Sequence, residues 1–128
     1  MAGGIGVTPF RSMVKYLLDK NEVRDIVLFY CVKTADELAY KGLFDEASQK
    51  FGLKVHYIIS DTAADKLPKD MESGRLTTDL IKQEVPDFAQ RIFYISGPQG
   101  MVTGLKETLQ QAGVPGRNTR SDYFPGFA

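Results

Sequence analysis

A single seven-residue run limits the kind of sheet that this chain can form. Residues Ile26 to Val32 read IVLFYCV and carry no charged side chain. A strand with one face in water alternates apolar and polar residues, so this continuous run predicts a strand that is buried on both faces. Strands of that kind belong to parallel sheets with helices packed on both sides.

Strand-like and helix-like patterns alternate along the rest of the chain. This alternation predicts an α/β fold, in which three layers form a doubly wound parallel sheet covered by helices. Thr34 and Glu37 have the spacing of a capping box, so the second helix is predicted to begin at Asp36. The predicted strands are 26–32, 55–59, 91–96 and 120–124, the predicted helices are 10–18, 36–51, 77–81 and 99–111, and residues 61–73 are predicted to form a long loop.

A glycine-rich loop stands at the start of the chain. Residues Gly3 to Pro9 read GGIGVTP and lead into the first helix, with only Met1 and Ala2 before them. Such a turn usually holds a pyrophosphate at a helix N-terminus, but the third glycine of G-x-G-x-x-G is absent, so an ordinary turn remains equally open. Because a strand normally precedes this turn, we expect a nucleotide-binding domain cut from a longer protein, with its first strand truncated.

Composition excludes several classes of function. The 128 residues suit one domain, and sixteen basic residues balance sixteen acidic ones. A zero net charge gives no reason to expect nucleic acid or an anionic membrane as a partner, and no apolar run approaches the roughly 20 residues of a membrane span. With one cysteine, Cys31, and one histidine, His56, we expect no Cys/His metal site. Cys31 is interpreted as a buried, inert thiol, and His56 as an ordinary strand residue.

A second turn is predicted to lie beside the glycine-rich loop. Residues 96–101 read SGPQGM, close one strand and open the next helix. Ligands of open parallel sheets bind beyond the carboxyl ends of strands, so the two turns should share one rim. A plain tight turn with Met101 in the core remains the alternative. The aromatic chain end, residues 122–127, could either cap the core or stack on a planar ligand.

In this order and spacing the segments resemble the nucleotide-binding half of the ferredoxin–NADP⁺ reductase superfamily, over essentially the whole chain. The resemblance implies a sheet in the order 3-2-1-4-5, with the truncated strand at its centre. It also implies that NADH or NADPH passes hydride to FAD on a separate β-barrel domain, from which electrons reach a ferredoxin, an iron–sulfur domain or a haem. The marks are Gly-Gly-x-Gly-x-Thr-Pro, Tyr30-x-x-Lys33-Thr34 with Glu37-Leu38, Gly97-Pro98 with Met101, and Asp122-x-Phe124.

The resemblance also implies roles for individual residues. The glycine-rich loop would contact the pyrophosphate, Lys33 the phosphates and ribose, and the 97–101 turn the nicotinamide. Ser96 stands where the family often has a cysteine beside the hydride-transfer site, so no thiol acts there. The implied coenzyme contacts are Gly4, Ile5, Gly6, Thr8, Pro9, Lys33, Ser60, Asp61, Gly97, Pro98 and Met101, and the residues implied beside the reacting rings are Thr8, Ser96 and Phe124, with Phe127 also near the flavin.

Ser60 and Asp61 favour NADH over NADPH. They follow the predicted strand 55–59, where relatives that use NADP often place an arginine after the serine. Asp61 would repel a 2′-phosphate and could accept a hydrogen bond from a 2′-hydroxyl. A solvated loop aspartate is the alternative interpretation.

The flavin domain's Arg-x-Tyr-Ser motif is absent from these 128 residues. We therefore expect the chain to need an FAD-binding domain and to be inactive alone. A non-catalytic nucleotide-binding or scaffold module, or an inactive fragment, remains the alternative. The expected location is the cytoplasm, or the cytoplasmic face of a larger membrane-associated parent. A truncated central strand would also favour a homodimer that donates one.

Overall fold

Six parallel strands form one sheet in the computed structural model of the chain, which describes residues 1–124 and only the backbone of Phe124. Their order along the sheet is β4-β3-β2-β1-β5-β6. This confirms the predicted α/β class and the order 3-2-1-4-5, to which the structure adds one edge strand. The strands are β1 (Ala2–Gly3), β2 (Val27–Val32), β3 (Lys54–Ile59), β4 (Met71–Ser73), β5 (Phe93–Pro98) and β6 (Thr119–Phe124).

Four helices cover the two faces of the sheet, as predicted. Helices α1 and α2 contribute Val14 and Phe44 to one core, and α3 and α4 contribute Ile81 and Leu109 to the other. Pro9 lies in the first turn of α1, where its missing N–H costs no hydrogen bond. The helices are α1 (Thr8–Lys20), α2 (Lys41–Phe51), α3 (Thr78–Glu84) and α4 (Gln99–Ala112).

The first strand is central and short. Ala2 pairs with Tyr30 on one side and Ser96 on the other, so the strand predicted to be truncated is present at the centre of the sheet with two residues. The amino group of Met1 donates to the carbonyl of Tyr94 at 2.7 Å. Beneath Met1 a cavity of about 400 Å³, lined largely by apolar residues such as Phe93, separates the amino halves of β2 and β5.

The second helix begins five residues later than predicted. The capping box of Thr34 and Glu37 forms, but it closes only one short 3₁₀ turn. The hydroxyl of Tyr30 then accepts the backbone N–H of Ala39 at 3.0 Å, and Tyr40 adopts a left-handed conformation with φ of 63°. These two features end the turn, and α2 starts at Lys41.

The predicted long loop 61–73 ends in a strand. Met71 pairs with Tyr57 and packs on the core beside α2, which gives β4 an apolar anchor. Gly74 then turns the chain with φ of 107° and donates its N–H to Ile59. Within residues 1–124, none of the helices has the length and apolar character needed to cross a membrane.

Candidate functional site

A cleft of about 580 Å³ lies at the carboxyl ends of the central strands, where ligands of open α/β sheets bind. It brings together five of the eleven predicted coenzyme contacts, which come from four separate segments of the chain. They are Gly4, Lys33, Ser60, Pro98 and Met101.

Two glycines of the first loop serve different purposes. Gly4 is exposed on the cleft with φ of 53°, and a Cβ there would meet no other atom within 4 Å. Gly6 is buried, and a Cβ on it would overlap the carbonyl of Ser96 and lie 2.7 Å from the amide nitrogen of Gly97. Gly4 therefore leaves backbone accessible to a ligand, whereas Gly6 lets the loop pack on β5.

The rest of the loop lies beside the cleft rather than on its lining. Ile5 is 71% exposed, and Thr8 uses its hydroxyl to donate to the carbonyl of Ile5 at 3.1 Å. Pro9 is exposed at the start of α1. These three residues are therefore accessible at the surface beside the cleft.

Ser96 and Gly97 lie beneath the cleft rather than on its lining. Ser96 is only 6% exposed, and its backbone N–H donates to Met1 at 3.0 Å. The sulfur of Met101 would lie 3.1 Å from a Cβ on Gly97, and a Cβ on Gly3 would overlap the same thioether. Met101 lines the cleft and also packs against the core, so its side chain lies at the boundary between the two.

The ends of β2 and β3 are tied together at one side of the cleft. Asp61 donates its backbone N–H to the carbonyl of Lys33 at 2.9 Å. The hydroxyl of Ser60 lies 3.4 Å from a carboxylate oxygen of Asp61. The carboxylate of Glu37 also borders the cleft, but it accepts the backbone N–H groups of Lys33 and Thr34 at 3.0 and 2.8 Å. The Glu37 charge is therefore engaged in the capping box.

Arg75 lines the cleft and was missed by the sequence analysis. It directly follows Gly74, at the carboxyl end of β4. Because residues 61–73 were predicted as a loop, the position of Arg75 at a strand end was not recognised. The sequence offered little signal for this strand, because Met71 is the only apolar residue among its three.

The opposite wall of the cleft is one face of α4. Gly100, Gly104 and Thr108 are four residues apart and line the cleft on successive turns. A Cβ on Gly100 or Gly104 would meet no other atom within 4 Å. The two glycines keep this wall flat and the cleft wide.

Cys31 also lines the cleft, and burial raises its thiol pKa to about 11. A thiol with that pKa is protonated at neutral pH, which supports the prediction of an inert cysteine. Among the described residues of the cleft, the ionisable groups are thus two cations, one engaged carboxylate and one protonated thiol. This set suits the binding of an anionic ligand rather than acid–base or nucleophilic catalysis.

The predicted flavin contacts fall at the end of the chain. The side chain of Phe124 and the whole of Phe127 lie outside the described residues. The backbone of Phe124 pairs with Pro98 at the end of β6. Asp122 and Tyr123 pair with Ser96 and Gly97, so they lie beside the start of the 97–101 turn.

Comparison with known proteins identifies the family to which this chain belongs. Residues 1–107 match the family described as the oxidoreductase NAD-binding domain. The flavohemoprotein of Candida albicans is 33% identical over 129 residues, which cover 97% of this chain and 30% of that protein. The chain spans about 30% of the length of the first curated relatives that it matches.

Solved structures show the same fold. A cytochrome P450 reductase from Amycolatopsis superposes with a TM-score of 0.80 at 21% identity, over 98% of this chain and 36% of that one. Ferredoxin–NADP⁺ reductase from Plasmodium falciparum superposes with a TM-score of 0.69 at 16% identity, over 96% of this chain and 50% of that one. The predicted resemblance is confirmed, and the chain belongs to the oxidoreductase NAD-binding domain family.

Proposed function

We propose that this chain is the nicotinamide-nucleotide-binding half of a flavin-dependent oxidoreductase. It holds NADH in the cleft at the carboxyl ends of the strands and presents the nicotinamide to an FAD carried by a separate domain. The coenzymes supply the redox chemistry: hydride passes from NADH to FAD, and electrons go on to a ferredoxin, an iron–sulfur domain or a haem. The observation that carries this proposal is the meeting of Gly4, Lys33 and Arg75 on one cleft.

The cleft fits a dinucleotide in size, charge and shape. Its volume of about 580 Å³ lies within the usual range of about 300–1,000 Å³ for small-molecule sites. Lys33 and Arg75 supply two positive charges for a diphosphate, and Gly4 leaves its backbone accessible. The flat wall at Gly100 and Gly104 gives a planar ring a surface without side chains.

Residues on the rim of the cleft and beneath it are proposed to set the coenzyme's position. Thr8 and Pro9, exposed beside the cleft, face the junction between nicotinamide and flavin. Asp61 selects NADH, because its exposed carboxylate at the end of β3 repels a 2′-phosphate. Ser96 positions the glycine-rich loop, because its backbone binds the carbonyl of Met1 and packs against Gly6.

Titration calorimetry with NADH and NADPH tests these assignments. Lys33→Ala and Arg75→Ala should each weaken NADH binding by about tenfold or more, since each removes a charge-assisted contact. Lys50→Ala, at the exposed end of α2, removes the same charge away from the cleft and should leave binding unchanged. Equal affinities for all three variants would place the coenzyme elsewhere, and tighter binding of NADPH by the unmodified chain would overturn the role of Asp61.

Binding to the chain alone should be weak, because the proposed flavin domain forms one wall of the nicotinamide site. Adding the FAD-binding domain should therefore strengthen it. If NADH binds but no flavin domain alters its affinity or accepts its hydride, the chain is a nucleotide-binding module without a redox role.

A further inference from the structure

A second polar cluster lies on the sheet face covered by α3 and shares no residue with the cleft. His56 comes from β3, Glu72 from the edge strand β4, and Glu84 from the last position of α3. One ligand atom from each of the three lies within 4.8 Å of the other two. Three separate elements thus direct one imidazole and two carboxylates to a single point.

Two atoms of this cluster are buried without a partner. His56 Nε2 and Glu72 Oε2 are both inaccessible to solvent and make no hydrogen bond. A carboxylate oxygen of Glu84 lies 3.4 Å from His56 Nε2, but the pair lacks hydrogen-bond geometry. A buried polar atom without a partner destabilises the fold, so the two atoms favour a further ligand at this cluster.

The charges around the cluster point to a cation. Among the described residues, no lysine or arginine lies within ion-pair distance of either carboxylate. Two like charges in a partly buried site destabilise each other. A metal ion between the three residues would offset the charge of the two carboxylates and would satisfy both unpartnered atoms.

The distances suit a small divalent ion. Zinc binds imidazole nitrogen and carboxylate oxygen at about 2.0–2.2 Å, which places two tetrahedral ligands about 3.3–3.5 Å apart. The 3.4 Å between His56 and Glu84 already has this value. The ring of Phe29 stacks on the imidazole with centroids 5.2 Å apart, and this contact holds the direction of Nε2.

We propose that His56, Glu72 and Glu84 form a binding site for a divalent cation, with Zn²⁺ as the ion that fits the donors best. Bound there, the ion joins β3, α3 and the three-residue edge strand β4. Since β4 leads directly into Gly74 and Arg75, the bound ion also stabilises the segment that places the Arg75 side chain on the cleft.

The single histidine makes a direct test practical. NMR of the imidazole in the full chain, titrated with ZnCl₂ at pH 7.5, reports on His56 alone. We expect its resonances to shift and saturate with one ion per chain, at a micromolar dissociation constant or tighter. An imidazole that does not respond overturns the proposal, even if calorimetry detects zinc binding elsewhere.

Isosteric variants assign the ligands. Glu72→Gln and Glu84→Gln should each weaken Zn²⁺ binding beyond the roughly 10–100-fold that loss of an outer-shell partner causes. Glu107→Gln, an exposed position on α4, is the matched control and should bind as the unmodified chain does. Circular dichroism without metal checks that each variant is folded. Unchanged affinity in both cluster variants would show that these carboxylates are not ligands.

Discussion

The backbone of Gly6 lies against the backbone of Ser96, with no room for a side chain between them. Gly6→Val should therefore destabilise the fold by about 1–3 kcal/mol, the range for overpacking, before any effect on the coenzyme. Gly42→Ala is the control, because a Cβ at this exposed α2 position meets no other atom within 4 Å. It should stabilise the helix by about 0.5–1 kcal/mol. Urea unfolding gives the free energy of unfolding of both variants. Equal values would show that the contact between the loop and β5 does not limit the side chain at Gly6.

The flat wall of α4 offers a way to block the cleft without harming the fold. Gly104→Leu places a side chain in open space on the cleft, so NADH binding should weaken by about tenfold or more while thermal stability is kept or raised. Gly42→Leu makes the same change on another helix surface. Calorimetry should find its affinity for NADH unaltered, and NADH binding that survives Gly104→Leu would contradict a ligand against this wall.

When the 128-residue chain is studied by itself, the buried amine of Met1 should make its stability depend on pH. Burial lowers the pKa of the Met1 amine to about 5 in the folded chain, from 8.0 in the unfolded one. The unfolded state therefore binds more protons between these values, and the free energy of unfolding should fall as pH drops from 8 to 5. Each unit of pKa difference corresponds to about 1.4 kcal/mol. Denaturant unfolding of the same chain with an acetylated terminus should lack this part of the pH dependence.

The cavity between β2 and β5 should favour self-association. Ile92 lines it and is 55% exposed, so two chains can cover this apolar surface together. We expect a dimer by sedimentation equilibrium, weakened by Ile92→Lys. Val23→Lys, at a residue that is 71% exposed and does not line the cavity, is the control. A monomer at high concentration would show that the cavity is not an interface.

The chain without a flavin domain should not reduce dyes with NADH, because the described cleft residues include no hydride acceptor. Added FAD alone should not restore the activity. A spectrophotometric dye-reduction assay of the purified chain decides this, and robust turnover would show that the proposed second domain is unnecessary.

The parts of the fold set by local pattern were predictable. The run from Ile26 to Val32 predicted a central strand, and the helix predicted at 10–18 lies within α1, which spans Thr8–Lys20. The start of α2 was not predictable, because a tertiary contact from the Tyr30 hydroxyl to Ala39 ends the turn that Thr34 begins. Strand β4 has only three residues, too few for a periodic signal.

The same limits apply to the candidate site. Gly4, Lys33 and Ser60 follow predicted elements, and their positions on one rim follow from parallel strands. The position of Arg75 on the cleft depends on β4, and because that strand was not predicted, Arg75 was not predicted either. His56 was interpreted as an ordinary strand residue. Its closeness to Glu72 and Glu84 could not be predicted, because only the fold brings the three residues together.

The most direct test of the central claim is a backbone amide NMR titration of the chain with NADH. We expect saturable shifts at Gly4, Lys33, Arg75 and Met101, which line one cleft but lie far apart in sequence. Amides in the middle of α2, on a helix remote from the cleft lining, should remain in place. Shifts confined to another surface, or no saturable shift at any of these four residues, would contradict the assignment of this cleft as the dinucleotide site.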